Sequence, residues 1–135
     1  MFVFIILHYL AEDMTKECVK YIQNHLDMNR IRIVIVDNAS SNGSGARLKQ
    51  FYKDNEYCDV ILNDENMGFA RGNNVGYTYA KEKYDPDFMI YEEVDLDSTR
   101  SYHVNQYELL DGFFGSYYSD FAINYDSAFL MVPPW

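Results

Sequence analysis

The sequence contains few residues of the kinds that mark secreted or nucleic-acid-binding proteins. Only 2 of its 135 residues are cysteines, and 11 Lys and Arg residues stand against 21 Asp and Glu residues, for a net charge of −10. Cys18 and Cys58 lack the spacing of a metal site, so we expect buried free thiols in a reducing compartment, the cytoplasm. The negative charge argues against nucleic acid as a partner, and an anionic ligand would need a local cation or a metal.

Long apolar runs are also missing. The longest, MFVFIIL at residues 1–7, is too short to cross a membrane, and no basic residues precede it. It predicts a buried strand, neither a signal peptide nor a membrane span. We therefore expect no transmembrane segment, whereas peripheral association with a membrane surface stays open.

Glycine is absent where the common nucleotide-binding motifs would need it. The segment HYLAED follows the first predicted strand and contains no glycine, so the dinucleotide-binding fingerprint is missing there. No P-loop sequence occurs either. The sequence therefore argues against a Rossmann oxidoreductase and against a P-loop protein.

Strand and helix patterns alternate over the first two thirds of the chain. Predicted strands cover residues 2–7, 31–36, 59–62 and 88–91, and predicted helices cover residues 15–26, 46–53 and a stretch that begins near Gly68. Short connections between alternating strands and helices are typical of parallel βαβ units. We predict an α/β fold with a mostly parallel sheet and flanking helices, in which the first two strands are neighbours.

Apolar spacing in the first two helices predicts which residues face the core. In the first helix these are Cys18, Val19, Ile22 and Leu26, and in the second they are Leu48, Phe51 and Tyr52. Asp13 or Thr15 is the predicted N-cap of the first helix.

The third predicted helix has an unusual composition. Phe69, Tyr77 and Ala80 recur at helical spacing, which predicts an apolar stripe. Yet Gly72 and Gly76 each weaken the helix by about 1 kcal/mol relative to alanine. Two explanations are open, since the glycines could let a ligand approach the backbone or let the helix pack tightly on the sheet.

Polar residues follow each predicted strand at its carboxyl end, which is the edge where open α/β sheets bind ligands. They are residues 8–9, 37–41, 63–66 and 92–97. Asp37, directly after the second strand, is placed to accept hydrogen bonds from a base or a ribose. The alternative is that Asp37 and Ser40 cap a turn and the helix that follows it.

Four segments together resemble the N-terminal half of a family 2 glycosyltransferase of the GT-A fold, with rhamnosyltransferase-like members closest. They are IILHYLAEDMTKECVKYI, IVIVDNASSNGS, NDENMGFARGNNVGYTYA and PDFMI, within residues 3–91. The combination of VDNASSNGS with NMGFARGNN is the most specific part. The resemblance implies transfer of a sugar from a nucleotide-diphosphate sugar donor to a glycan or polysaccharide precursor, with Mg²⁺ or Mn²⁺ as cofactor.

The resemblance also implies a role for individual residues. The implied substrate-binding residues are His8, Tyr9, Asp37, Asn38, Gly68, Arg71 and Asn73. The first two would line the nucleoside pocket, and Asp37 would bind the base. The three from the third helix would border the base, the ribose and the phosphates.

Metal-binding and catalytic residues are expected after the fourth strand. The family carries an Asp-x-Asp motif there, and the resemblance assigns its metal-binding role to Asp95 and Asp97. A solvated acidic loop is the alternative. The acceptor hydroxyl also needs a base, for which Asp111 is the implied residue, with Asp126 and His103 as alternatives.

The resemblance implies one GT-A-like domain over residues 1–135, with a nucleotide-binding half at 1–91 and a shortened acceptor-side segment at 92–135. An internal deletion after PDFMI would explain both the atypical acidic sequence EEVDLD and the short length. Two functions stay open: a glycosyltransferase, or a truncated non-catalytic relative that binds nucleotide. We expect weak nucleotide binding and little or no sugar transfer from this chain alone.

Overall fold

The computed structural model describes residues 1–86, 105–113, 115 and 118. The chain divides into two compact units, Met1–Met89 and Ile90–Trp135. The fourth strand predicted at residues 88–91 lies outside the described residues.

Strands and helices alternate through the described part of the first unit. The elements are β1 (Phe2–His8), α1 (Glu12–His25), β2 (Ile31–Asp37), α2 (Ser44–Phe51), β3 (Cys58–Leu62) and α3 (Gly68–Tyr84), and the second unit contributes α4 (Gln106–Phe113). The first three predicted strands are confirmed, each one residue longer than predicted. Within the described ranges, none of the helices combines the length and the apolar character needed to cross a membrane.

The three strands form a parallel sheet in the order β1-β2-β3. Phe2 pairs with Ile31 and His8 pairs with Asp37, so the predicted parallel pairing of the first two strands is confirmed. Asp37 also pairs with Leu62 at the end of β3. The fold is therefore α/β, and this register brings the carboxyl ends of all three strands to one edge.

Helices cover both faces of the sheet. On one face, α1 and α2 bury Val19, Ile22 and Leu48 against Ile33 and Ile35 of β2. On the opposite face, α3 packs on the alternate residues of the same strand. Residues 33–36 are consequently 0% exposed, which accounts for the unbroken apolar sequence of β2.

A row of small residues forms the surface of α3 that contacts the sheet: Gly72, Gly76 and Ala80. A Cβ atom at Gly72 would lie 2.6 Å from Leu7 Cδ1, and one at Gly76 would lie 2.5 Å from Ile5 Cγ2. The two glycines therefore let the helix pack tightly on the sheet, as the second explanation proposed. The predicted apolar stripe is wrong at Phe69, which is 80% exposed because the small residues occupy the buried side.

The predicted start of α1 is wrong by three residues. The helix begins at Glu12, Ala11 occupies the N-cap position and no side chain caps it, so neither Asp13 nor Thr15 is the N-cap. Glu12 and Asp13 lie in the first turn, where negative charge interacts favourably with the helix dipole. Thr15 lies inside the helix, where its hydroxyl donates to Ala11 O at 3.1 Å.

Three side chains predicted to face the core are exposed: Cys18, Leu26 and Phe51. The buried residues of α1 are only Thr15, Val19 and Ile22, so the helix contacts the core along a narrow stripe. The Phe51 ring instead lies at the surface, where its centroid is 4.4 Å from Lys16 Nζ. The prediction that Cys58 is a buried free thiol is confirmed.

Candidate functional site

The polar residues that follow the three strands lie together at the carboxyl edge of the sheet. The backbone N–H of Asn38 donates to His8 O at 2.9 Å, and the N–H of Asn63 donates to Asp37 O at 2.9 Å. These bonds continue the parallel pairing one residue beyond the strands and hold the loops side by side. Open α/β sheets bind their ligands at this edge.

Asp37 is buried at the end of β2. Both of its carboxylate oxygens lie 3.3 Å from the Ser40 N–H, so the side chain stabilises the turn that follows. The carboxylate also packs on the backbone of Gly45, where a Cβ would lie 2.1 Å from Oδ2. The turn described by the alternative explanation is therefore present, and the contact with a base or a ribose stays a prediction.

The His8 side chain connects three elements beneath this edge and is 1% exposed. Its Nδ1 lies 2.8 Å from Thr15 Oγ1 in α1, and its Nε2 lies 2.7 Å from Ser44 Oγ in α2. Nε2 is also 3.8 Å from Asp37 Oδ1. Because both ring nitrogens form hydrogen bonds with protein groups, His8 stabilises the edge from a buried position and does not line its exposed surface.

The partners of His8 identify which ring nitrogen carries the proton. Thr15 donates its own hydroxyl proton to Ala11 O, so its oxygen accepts from Nδ1–H of the ring. Nε2 is then unprotonated and accepts from the Ser44 hydroxyl. The hydrogen bonds are satisfied by a neutral imidazole with its proton on Nδ1.

Electrostatics at His8 favour the same neutral form. Burial is the largest influence and lowers the pKa of His8 below its usual 6.5. The nearby carboxylates of Asp37 and Glu12 act in the opposite direction, with smaller effect. At neutral pH the ring is therefore uncharged.

The Asn38 side chain organises the loop between β3 and α3. Its amide nitrogen donates to Asn66 Oδ1 at 2.9 Å and to Gly68 O at 3.2 Å. Its amide oxygen accepts from Asn63 Nδ2 at 3.3 Å and from Met67 N–H at 3.0 Å. All four hydrogen-bonding positions of the amide are thus occupied, so this predicted substrate-binding residue shapes the edge through its protein contacts.

The α3 helix begins at this edge with Gly68. Its φ of 75° lies in the left-handed region, and its N–H donates to Asn66 Oδ1 at 2.9 Å. A Cβ there would meet nothing within 4 Å, so backbone conformation, and not space, is what favours glycine. The N-cap residue, Met67, makes no capping hydrogen bond with its side chain, so Asn66 satisfies only the first N–H, and the first turn carries the partial positive charge of the helix dipole.

Three predicted substrate-binding residues are at least partly accessible at the edge. Tyr9 is 46% exposed in the loop after β1. Arg71 is exposed beside Gly72 and has no hydrogen bond or ion pair with another residue in the described part of the chain. Asn73 is half-buried and donates to Phe69 O at 2.9 Å within its own helix. Tyr9 and Arg71 are therefore the side chains most available to a ligand.

The predicted metal ligands and bases fall mostly outside the described residues. Asp95, Asp97, His103 and Asp126 all lie outside them, whereas Asp111 is exposed on α4 in the second unit. Across residues 1–86 and the short described stretches beyond them, no three or more His, Cys, Asp or Glu side chains converge to hold a metal ion.

Three residues that help to build this edge were not predicted from the sequence to do so: Thr15, Ser44 and Gly45. Asn66 was predicted only as one of the polar residues 63–66 at this edge. In the sequence, Ser44 and Thr15 look like ordinary residues near the starts of helices. Their role was missed because their shared hydrogen-bonding partner, His8, lies in a different element. Asn66 occurs in the segment NDENMG, where clustered Asn and Asp side chains signal a turn. This polar segment was the only local sequence pattern that pointed to any of these residues.

Comparison with known proteins identifies the family. A model of glycosyl transferase family 2 matches residues 3–89, more than half of the 135-residue chain, and spans β1 to α3 with the whole carboxyl edge. The searches of curated proteins and of solved structures returned no similar protein. The chain therefore belongs to glycosyltransferase family 2, and its function is of the glycosyltransferase type, with a nucleotide sugar as the donor class.

Proposed function

We propose that the carboxyl edge of this sheet binds a nucleotide-diphosphate sugar, and that this site serves transfer of the sugar to a glycan or polysaccharide precursor. The observation that carries the proposal is the Asp37 carboxylate, fixed at the edge within the segment that the family model matches. A rhamnosyl or related deoxyhexosyl donor is our proposal for the sugar. It is supported by the resemblance of the VDNASSNGS and NMGFARGNN segments.

Three groups at the edge, one of them buried, have chemistry suited to different parts of the donor. The Asp37 carboxylate would accept hydrogen bonds from the base, and the Tyr9 ring would stack on it. The guanidinium of Arg71 would pair with the diphosphate, which also suits the partial positive charge at the N-terminus of α3. Arg71 supplies the local cation that a chain with a net charge of −10 needs for an anionic ligand.

A divalent cation is the cofactor that the family implies, and the described residues do not form its site. Asp37 is the buried carboxylate of this edge, and its oxygens already contact Ser40 and the backbone of Gly45. We retain Asp95 and Asp97 as the proposed ligands of Mg²⁺ or Mn²⁺, and we derive no step through the metal. Asp111 is the proposed base that accepts the proton of the attacking acceptor hydroxyl.

Calorimetric titration with UDP, GDP and dTDP, with and without Mn²⁺, tests the nucleotide site. We expect one of the three to bind, and Asp37→Ala to weaken that binding by about 1–3 kcal/mol, the range for a hydrogen bond to a charged group. Asp54→Ala is the matched control, because this aspartate is 88% exposed and lies after α2, away from the carboxyl ends of the strands.

The outcome also separates the two functions. Unchanged affinity in a folded Asp37→Ala variant would remove Asp37 from the site. Nucleotide binding without sugar transfer to any acceptor would favour the non-catalytic relative, and turnover abolished by Asp95→Asn would establish the enzyme and its metal site.

A further inference from the structure

We propose that His8 is a positioning residue for Asp37: the neutral imidazole anchors the start of α2, and α2 in turn holds the Asp37 carboxylate in place. The inference rests on the proposed function insofar as Asp37 is taken to bind the nucleotide. The placement of the carboxylate itself, however, can be measured without any ligand.

Two contacts connect His8 to Asp37, and the first is between His8 and α2. Ser44 is the first residue of α2 and is 0% exposed. Its hydroxyl lies 2.7 Å from His8 Nε2, a short hydrogen bond that water does not reach. The imidazole therefore holds the Ser44 side chain at the start of α2, while Asn42 Oδ1 accepts from the Ser44 N–H at 3.0 Å.

The second contact is between α2 and Asp37. Gly45 follows Ser44 directly, and its Cα carries no side chain because the Asp37 carboxylate occupies that space, with Oδ2 2.1 Å from where a Cβ would be. A shift of Ser44 would carry Gly45 with it and remove the surface on which the carboxylate rests. The separation of 3.8 Å between His8 Nε2 and Asp37 Oδ1 is too long for a hydrogen bond. His8 therefore acts on Asp37 mainly through the helix.

The hydrogen bonds around the ring match its neutral form. Thr15 on α1 accepts from Nδ1–H, which leaves Nε2 free to accept from Ser44. A proton on Nε2 would turn that acceptor into a donor directed toward Ser44 and Asp37. The charged groups near the ring are Asp37 on β2 and Glu12 on α1, and Arg47 of α2 pairs with Glu12 at 2.7 Å.

Two isosteric variants of His8 separate its two hydrogen bonds. In His8→Gln the amide reaches the position of Nε2 and can still accept from Ser44, whereas in His8→Asn the amide reaches only the position of Nδ1 and Thr15. Ser44→Ala removes the same contact as His8→Asn from the other side. It also tests the proposal if His8→Asn fails to fold.

The primary measurement is the amide ¹H chemical shift of Ser40 at neutral pH, because this N–H donates to both oxygens of the Asp37 carboxylate. The second measurement is the affinity for UDP, GDP and dTDP. We expect His8→Asn and Ser44→Ala to change the Ser40 shift and to weaken nucleotide binding about five- to tenfold, with effects that do not add in the double variant. His8→Gln should stay close to the wild-type chain in both.

The outcomes distinguish the inference from the proposed function. A Ser40 amide chemical shift that is the same in the wild-type chain and in folded His8→Asn or Ser44→Ala would overturn the positioning role. If this chemical shift responds while no nucleotide binds the wild-type chain, the positioning role stands and the proposed nucleotide site fails. If His8→Gln disturbs Asp37 as much as His8→Asn does, the contact with Ser44 is not the one that matters and the inference is wrong.

Discussion

At the scale of single residues, the carboxyl edge combines side chains saturated by protein contacts with side chains open to solvent. Asn38 and His8 belong to the first group, since every hydrogen-bonding position on them has a protein partner. Tyr9 and Arg71 belong to the second. Substitutions in the first group should therefore affect folding, and ligand binding only indirectly through the arrangement of the edge, whereas substitutions in the second should affect ligand binding directly.

Asn38→Ala and Arg71→Ala test this division. Asn38→Ala removes a buried side chain that makes four hydrogen bonds to the loop between β3 and α3, including the acceptor of the Met67 N–H, so we expect a loss of about 2–4 kcal/mol in the free energy of unfolding. Arg71→Ala should change that free energy by less than about 0.5 kcal/mol and weaken nucleotide binding instead. Urea unfolding and calorimetry measure both, and equal destabilisation by the two substitutions would contradict the division.

His8 should also make the folded chain sensitive to mild acid. Because burial lowers its pKa below 6.5 in the folded state, the unfolded chain binds this proton more readily. The full contribution of His8 to stability is present above pH 6.5 and is lost as the pH falls from 6.5 toward the pKa of the folded state. The loss amounts to about 1.4 kcal/mol for each pH unit by which that pKa is lowered.

The measurement is urea unfolding at a series of pH values below and above 6.5. We expect His8→Gln to remove the decrease over this interval. His25→Gln is the control, because this histidine at the end of α1 is exposed, and its ring contacts Tyr21 by a hydrogen bond with the carbonyl at 2.8 Å and by stacking on the ring. A decrease of the same size in His8→Gln would assign it to another group.

At the scale of the elements, the contact between α3 and the sheet depends on the absence of side chains. A methyl group at Gly76 would lie 2.5 Å from Ile5 Cγ2 and 3.0 Å from Val36 Cγ2. Both neighbours are β-branched and have few alternative rotamers, so they cannot move aside easily. Glycine at this position therefore lowers the intrinsic stability of the helix but allows it to pack closely on the sheet.

Gly76→Ala is expected to destabilise the chain by about 1–2 kcal/mol, because overpacking outweighs the gain in helix propensity. Asn74→Ala on the exposed side of the same helix is the control and should stabilise it by a few tenths of a kcal/mol, about the difference in propensity. Thermal unfolding of the two variants measures both. A stabilised Gly76→Ala variant would show that the neighbouring side chains of the sheet can move to accommodate the added methyl group.

The elements differ in how well the sequence predicts them. β2 was predicted almost to the residue, because a strand covered on both faces is apolar at every position. The start of α1 was missed because no side chain caps it, and Phe51 was misplaced because a surface contact with Lys16 accommodates it. The position of Asp37 at the edge was predicted because this residue follows a strand. Ser44 and Gly45 act through contacts with residues of other elements, which no local sequence pattern predicts.

At the scale of the whole molecule, the net charge of −10 and the local charge of the proposed site have opposite signs. Repulsion between distant carboxylates and a diphosphate is screened beyond about 8 Å at physiological ionic strength. A contact between Arg71 and a phosphate would be much shorter than that. The global charge therefore affects how often a nucleotide approaches, and the edge itself decides whether it stays bound.

The different burial of the two cysteines has a consequence for chemical reactivity. Cys18 is exposed on α1, whereas Cys58 is buried in the core and its burial raises the pKa of its thiol to about 12. A maleimide should therefore modify the folded chain once, at Cys18, and should reach Cys58 only when the core opens. Mass spectrometry of timed samples would then count unfolding events through the second adduct, and immediate double modification of the folded chain would contradict the expectation.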